Sequence, residues 1–299
     1  MKKVLITGGT GFIGSDLCVQ LLKKDLDLVL LTRNPKRYED LKANNLQYVS
    51  WDQDLVHLMQ EVDAVIHLAG EPVVGGRWTP KVKQRIYDSR IQSTRTLVEA
   101  MKKAEKKPKV FISASASGYY GNSGLDWRSE EDPSGTDFLA EVCVDWEAEA
   151  KAATHFGLRV VIPRIGIVLG KDGGALKNML VPFRLGLGGS IGSGEQFMSW
   201  IHRTDLNRAI IQFLEDERYE GPVNMTAPEP VTMDVFTQTL AKTLAKPNIF
   251  SVPSFVLKLV FGEGAQPILD SIRMRPTQLA SHDFAYVYSD LEEALFDIV

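Results

Sequence analysis

The sequence predicts an α/β protein: a Rossmann-type doubly wound parallel sheet, followed by a smaller, partly discontinuous C-terminal substrate-side region. Three observations carry this. Short, almost continuous apolar runs rich in β-branched residues alternate with longer segments of helical period. A glycine-rich stretch separates the first run from the first helical segment. The texture then changes near residue 165, where glycines crowd positions 166–194, and the tail from 226 holds short helical runs interrupted by prolines.

In order, Val4-Leu5-Ile6 is the first strand, and Phe12 to Leu22 the first helix, with apolar residues at 13, 17, 18, 21 and 22. Leu28 to Leu31, Gln47 to Val49 and Ala64 to Leu68 follow as strands. Their near-continuous hydrophobicity suits burial on both faces, as in a parallel sheet under helices. Thr79-Pro80 opens a long helix, Thr as cap and Pro at the first helical position. Lys102, Lys103, Lys106 and Lys107 suit the negative end of its dipole. Lys109 to Ser113 is a fifth strand, Asp137 to Phe156 a helix stopped by Gly157, and Arg159 to Ile162 a sixth strand. Residues 1–225 are expected to form the nucleotide-binding domain, with a substrate-side insertion at about 165–205, and 226–299 a C-terminal domain.

Composition bounds the function. Hydrophobic residues make up 44% and charged residues 24%, the values of an ordinary globular chain. A net charge of −4 leaves no basic footprint for nucleic acid. Cys18 and Cys143 lie in predicted helices without metal-ligand or CxxC spacing, so reduced thiols and no metal are expected. The N-terminal apolar run is too short for a secretory signal, and Phe255 to Phe261 is short and interrupted by Lys258. The expectation is a cytoplasmic protein with a small-molecule substrate and no nucleic-acid or membrane partner.

Residues 7–14 read Thr7-Gly8-Gly9-Thr10-Gly11-Phe12-Ile13-Gly14, which fits GxGxxG between a strand and a helix. The first glycines permit the tight turn, Gly11 lets the backbone approach a pyrophosphate, and Gly14 lets the helix pack closely. The helix N-terminus offers free N–H groups to the phosphates. The second strand ends Thr32-Arg33-Asn34, with no acid to take a ribose 2′-hydroxyl but with a guanidinium suited to a 2′-phosphate. NADP(H) is therefore expected over NAD(H). Asp52, after the third strand, is a weaker candidate for the adenine end.

These residues, together with His67-Leu68-Ala69-Gly70, Ser113-Ala114-Ser115-Ala116-Ser117-Gly118-Tyr119-Tyr120-Gly121, Pro163 to Gly170 and Trp200 to Asp205, resemble the extended short-chain dehydrogenase/reductase superfamily, the NAD(P)-dependent epimerase/dehydratase proteins. Gly75-Gly76-Arg77-Trp78, Ser89-Arg90 and Asp145-Trp146-Glu147 are similar to an atypical, 39U1-type subgroup carrying a C-terminal domain of unknown function. The resemblance implies cofactor contacts at Leu68, Ala69, Gly70, Arg90, Ser113, Glu147 and Arg164. It also implies a homodimer through the helices at 80–105 and 137–156.

Active members of that superfamily pair a Ser/Thr after the fifth strand with Tyr and Lys in YxxxK. Ser115 matches the Ser, but Cys143 stands at the Tyr position and Glu147 at the Lys position. The literal Tyr38-Glu39-Asp40-Leu41-Lys42 lies at the adenosine end and is read as a chance match. Ser115, Tyr120 and Cys143 remain the catalytic candidates, with Tyr119 beside them. Arg77, Trp78, Arg164, His202, Arg273 and Arg275 are candidate substrate contacts, and Asp205 is expected to cap the helix after it. The leading expectation is an NADP-dependent oxidoreductase or epimerase-like enzyme on a nucleotide sugar or small carbonyl compound. The alternative is a non-catalytic NADP(H)-binding regulatory or scaffold protein.

Overall fold

The computed structural model describes residues 1–299 except Lys42. Its central sheet is built from β1 (Lys3–Thr7), β2 (Asp27–Leu31), β3 (Leu46–Val49), β4 (Ala64–His67), β5 (Val110–Ser113), β6 (Arg159–Ile165) and β7 (Gly221–Met225). They stand in the order β7-β6-β5-β4-β1-β2-β3, all parallel. Strand order reverses between β1 and β4, the switch point where doubly wound sheets open a crevice for ligands. The short strand Ser115–Ala116 runs on beyond β5 and pairs with β6, placing Ser115 opposite Arg164.

Each strand sends alternate residues to opposite faces. Val4, Ile6, Leu28, Leu30, Ile66 and Ile112 pack on one face, beneath α1 (Phe12–Leu22) and α6 (Arg203–Glu215). Leu5, Val29, Leu31, Val65, Phe111 and Val160 pack on the other. There they meet α2 (Leu55–Glu61), the end of α3 (Pro80–Lys103) and the end of α4 (Phe138–Lys151). A separate core joins α5 (Gly174–Arg184), α7 (Met233–Thr243) and the terminal helix Leu291–Ile298 around Trp200 and Phe236. The tail therefore shares a core with residues 165–205.

Two elements escape a reading by periodicity. The helix α2 is only 7 residues long and buries just Leu55 and Met59. Strand β7 begins Gly221-Pro222, turn signals in a sequence; it is the edge strand, where a missing N–H costs no ladder bond. Thr79 caps α3 as expected, its hydroxyl accepting from the Val82 N–H, and Gly157 closes the α4 region at φ 86°.

Asp205, expected as the cap of α6, does not cap it. The cap of α6 is His202, whose Nδ1 accepts from the Thr204 N–H at 3.2 Å. Asp205 lies fully buried one turn in, accepting the N–H groups of Val287 at 2.8 Å and Tyr288 at 2.9 Å. It ties the C-terminal segment at 287–288 to the start of α6. Trp200–His202 forms a strand paired with Ile167–Leu169, with Ile201 in the core under α1 and α6 and Trp200 in the core shared with the tail.

Large exposed apolar side chains are sparse on the two helices of the expected dimer, where Val144 stands out. They gather instead on Val181, Leu185, Leu187, Ile249, Phe250, Phe255 and Leu259.

Candidate functional site

The β1–α1 turn has the form a dinucleotide needs. Gly8 takes φ +71°, and a Cβ there would stand 2.8 Å from the carbonyl carbon of Leu68 after β4. Gly9 backs onto Leu30 and the Cys18 sulfur. Gly14 lies against the turn itself: a Cβ would overlap the Gly8 carbonyl oxygen and stand 2.7 Å from Gly9 Cα. Its task is thus to seat the helix on its own turn rather than on the strand. Gly11 meets only the Gly8 oxygen at 3.2 Å and, like Thr10, is exposed. Gly11 caps α1 with no side-chain hydrogen bond, so the first amide N–H groups of the helix are left for an anion. The residues present fit a pyrophosphate.

The turn is held rigidly. Thr7 Oγ1 lies 2.5 Å from His67 Nδ1 and accepts the Ala69 N–H at 3.2 Å, so the ends of β1 and β4 are tied. Burial pushes the His67 pKa down to about 3, keeping the ring neutral. Phe12 wedges against Gly170, Gly173 and Gly174, with the Arg203 guanidinium 4.9 Å above its ring, and Asn207 Nδ2 reaches the Ile13 carbonyl at 3.5 Å. Leu68 and Gly70 line the other lip, and the missing side chain of Gly70 admits the Arg90 guanidinium. Arg90 lies 5.3 Å from the Trp146 ring centroid. The Ser113 hydroxyl, at the end of β5, is buried without a hydrogen-bond partner among the described residues.

At the adenosine end Arg33 is exposed, with no carboxylate partner among the described residues. Asp52 is also exposed, and a hydrogen bond from Ser50 keeps its carboxyl below the ordinary range. Tyr38 stacks on Tyr48 at 5.0 Å. Lys42, which completes the literal YxxxK, lies outside the described residues.

Ser115, Tyr120, Glu147 and Arg164 form a buried polar network. Arg164 clamps Glu147 through two bonds, Nε to Oε1 at 2.8 Å and Nη2 to Oε2 at 2.9 Å. Ser115 donates to the same Oε1 at 2.8 Å. Arg164 Nη1 donates to Tyr120 Oη at 2.9 Å and to the Glu130 carbonyl at 3.1 Å. Tyr120 Oη also lies 2.7 Å from Asn224 Oδ1, and the Tyr119 ring centroid is 3.5 Å from the guanidinium carbon. Burial raises the Tyr120 pKa to about 12 although Arg164 opposes it, so the phenol stays protonated. Burial is also unfavourable to the Arg164 cation, yet its bonds to Glu147 raise its pKa above the ordinary value. Cys143 points its sulfur at the Ala116 carbonyl, 3.9 Å away. Burial, and then the Glu147 charge, push its pKa up to about 12.

Beside this network lies a cavity of about 340 Å³. Its floor is Arg90, Ala116, Ser117, Gly118 and Cys143; its walls come from residues 165–198, α7 and the segment 267–272. Cys143 thus reaches the cavity, while Ser115 and Tyr120 face the buried network. Sequence reasoning missed Ser117, Asp137, Gln196 and Asp270, which also line it. Asp137 signals itself only as a helix cap, accepting from Leu139 and Ala140. The six candidate substrate contacts are used elsewhere. Arg77 binds the Leu259 and Val260 carbonyls, Trp78 Nε1 the Val73 carbonyl, Arg164 binds Glu147, and His202 lies 3.4 Å from Asp297. Arg273 and Arg275 stack on Trp127 at 4.0 Å and 4.9 Å.

Asp270 makes a pH-dependent prediction. Burial, reinforced by the nearby Asp137, raises its pKa from 3.8 to about 6. The folded state thus holds this proton more tightly than the unfolded chain does. That contribution is fully present below pH 3.8 and is lost as pH rises through about 6. Asp270→Asn is expected to stabilise the protein by about 1 kcal/mol near pH 8, after discounting for solvent screening. The gain should vanish near pH 4 in thermal melts run at both values; equal gains would contradict it.

A glycine turn at the switch point, with a cavity that Arg90 lines and a C-terminal region helps to close, defines an epimerase-type Rossmann protein. The chain belongs to the NAD dependent epimerase/dehydratase family, whose model matches residues 4–225. A domain of unknown function matches residues 252–298. The chain is 40% identical over 301 residues to an epimerase family protein of Staphylococcus haemolyticus, covering 100% of this chain and 99% of that protein. Among solved structures it is similar to the human epimerase family protein SDR39U1 (isoform 2), crystallised with NADPH. There the TM-score is 0.90 at 33% identity, over 99% of this chain and 98% of that one. It is also similar to a nucleoside-diphosphate sugar epimerase from Corynebacterium glutamicum, with a TM-score of 0.80 at 29% identity, over 99% of this chain and 58% of that one. No helix among the described residues is long and apolar enough to cross a membrane.

Proposed function

We propose that this protein binds NADP(H) on the β1–α1 turn and uses it in oxidoreductase or epimerase-like chemistry on a small molecule held in the adjoining cavity, without a Tyr–Lys pair. The observation that carries the reading is the position of the cavity. Its floor is made by the residues after β5 and by the face of α4, where the superfamily brings substrate against its acid. Thr7 to Gly14 would hold the pyrophosphate, Leu68 to Gly70 and Arg90 the nicotinamide side, and Arg33 the 2′-phosphate. Glu147 and Arg164, bound to each other, and Ser115, which donates to Glu147, hold the network next to Ala116 of the floor. When bound, NADPH supplies a hydride. The proton is then held by groups of the chain that line the cavity: the Cys143 thiol and the Ser117 hydroxyl. The human relative crystallised with NADPH supports the choice of cofactor.

The test is a titration of the purified protein with NADPH and NADH. NADPH is expected to bind more tightly, and Arg33→Ala to weaken it about tenfold or more while leaving NADH unchanged, the loss of one charge-assisted contact. Equal affinities in the parent protein would overturn the assignment. Cofactor oxidation is then followed with uncharged carbonyl compounds and nucleotide sugars.

One observation favours a non-catalytic NADP(H)-binding role: Ser115 and Tyr120 are both engaged by the Arg164–Glu147 network. On that reading no substrate is turned over, and partner binding depends on the cofactor.

A further inference from the structure

We infer that the cavity takes an uncharged, largely apolar molecule and excludes the diphosphate of a nucleotide sugar; this rests on the reading of the cavity as the substrate site. A diphosphate brings two negative charges, which a protein must meet with cations or convergent N–H donors, since an unpaired buried charge costs several kcal/mol. Among the residues lining the cavity, Arg90 is the single cation. Its guanidinium lies against Trp146 and donates to the Ile86 carbonyl at 3.0 Å. The two other charged lining residues, Asp137 and Asp270, are acids and repel a phosphate.

The cations that stand nearby in the sequence are held elsewhere. Arg164 is neutralised by Glu147, Arg77 is spent on two backbone carbonyls, and Arg273 is sandwiched between Trp127 at 4.0 Å and Phe197 at 4.3 Å. The rest of the lining is mainly apolar, with Val142 from α4, Leu176 and Met179 from α5, Phe236 from α7, and Ile268 and Ile272 from the C-terminal segment. Such a wall suits hydrocarbon or aromatic surface, with Ser117, Asn178, Gln196 and Ser199 as the uncharged polar points that can orient a carbonyl or hydroxyl. The C-terminal region takes part in that selection, because it contributes Phe236, Ile268 and Ile272 to the apolar wall and Asp270 as one of the acids.

The experiment compares 4-phenylcyclohexanone, the anion 4-cyclohexylbenzoate and UDP-glucuronic acid as ligands of the full chain, by calorimetry with and without saturating NADPH. The ketone is expected to bind saturably and about tenfold or more tightly than the carboxylate of similar size, the cost of bringing an unpaired anion beside two acids. UDP-glucuronic acid should show no binding at the same site. Ile268→Trp, which fills the cavity, should abolish ketone binding and leave NADPH affinity unchanged. Met179→Lys, which adds a cation to the wall, should narrow or reverse the preference between ketone and anion. Tighter binding of either anion than of the ketone, ketone binding that survives Ile268→Trp, or no saturable ketone binding would each overturn the inference. Failure of NADPH to bind would instead count against the proposed cofactor site, because the ketone comparison is also made without it.

Discussion

Glu147→Ala is expected to destabilise the protein by about 3–5 kcal/mol, the cost of stranding a buried charge. The Arg164 side chain is 2% exposed and that of Glu147 1%, so the guanidinium left behind has no route to water. The same carboxylate accepts the Ser115 hydroxyl, and the same guanidinium carries Tyr120 and the Glu130 carbonyl. Denaturant unfolding should show the loss directly. Removing both charges in Glu147→Met with Arg164→Met should recover much of it, as buried pairs often gain little over apolar replacements. The network also predicts the fate of an attempted restoration of the superfamily motif. Cys143→Tyr with Glu147→Lys sets a second cation against Arg164, and this variant should be less stable than Glu147→Ala. A stable double variant with new activity would refute that ordering. On this ordering Arg164, paired with Glu147, sets the position against a lysine.

What the sequence reveals and what it conceals follows the range of the interactions. Strands β1 to β6 are legible because each is a local apolar run, and the Gly8–Gly14 turn because its three demands fall within eight residues. The departure at Cys143 and Glu147 is legible by position in a helix. Its compensation is not, for Glu147 finds Arg164 on a strand 17 positions away and Tyr120 finds Asn224 at a separation of 104. Read singly, Arg164 looks like a ligand contact; only the fold shows it bound by a carboxylate. The same holds for the cavity. Asp270 sits in a proline-broken tail with no pattern of its own. It reaches the cavity because Ser271, next to it, is pinned to the loop after Tyr120, its N–H donating to Asn122 Oδ1 at 3.1 Å and its carbonyl accepting from the Ser123 N–H at 2.8 Å. Arg77, Arg273 and Arg275, which the sequence offers as substrate contacts or equally as ion-pair and surface residues, show the same dependence on the fold. Cations are chosen by charge in a sequence, while the structure spends these on carbonyls and aromatic faces.

The glycines of the turn separate folding from cofactor binding. Gly14→Ala is expected to lower stability by about 1–3 kcal/mol and to remove measurable NADPH binding. Its methyl group would meet backbone atoms of Gly8 and Gly9, which cannot swing aside as a side chain does, so α1 must shift as a body. Gly11→Ala differs in kind. The position is exposed, its backbone at φ −91° suits any residue, and the added methyl would meet one oxygen at 3.2 Å. Its melting temperature should stay near that of the parent, yet NADPH affinity should fall about tenfold or more, because the methyl stands where a pyrophosphate would cross the free N–H groups of the helix. Calorimetric titration and thermal melts of the two variants give four values that only this division of labour orders in this way. Parent-like NADPH binding by Gly11→Ala would mean that the phosphates do not pass over that face. A parent-like melting temperature for Gly14→Ala would mean that the helix can retreat from its own turn, and that the close seat of α1 on Gly8 and Gly9 is not what fixes its N–H groups in place.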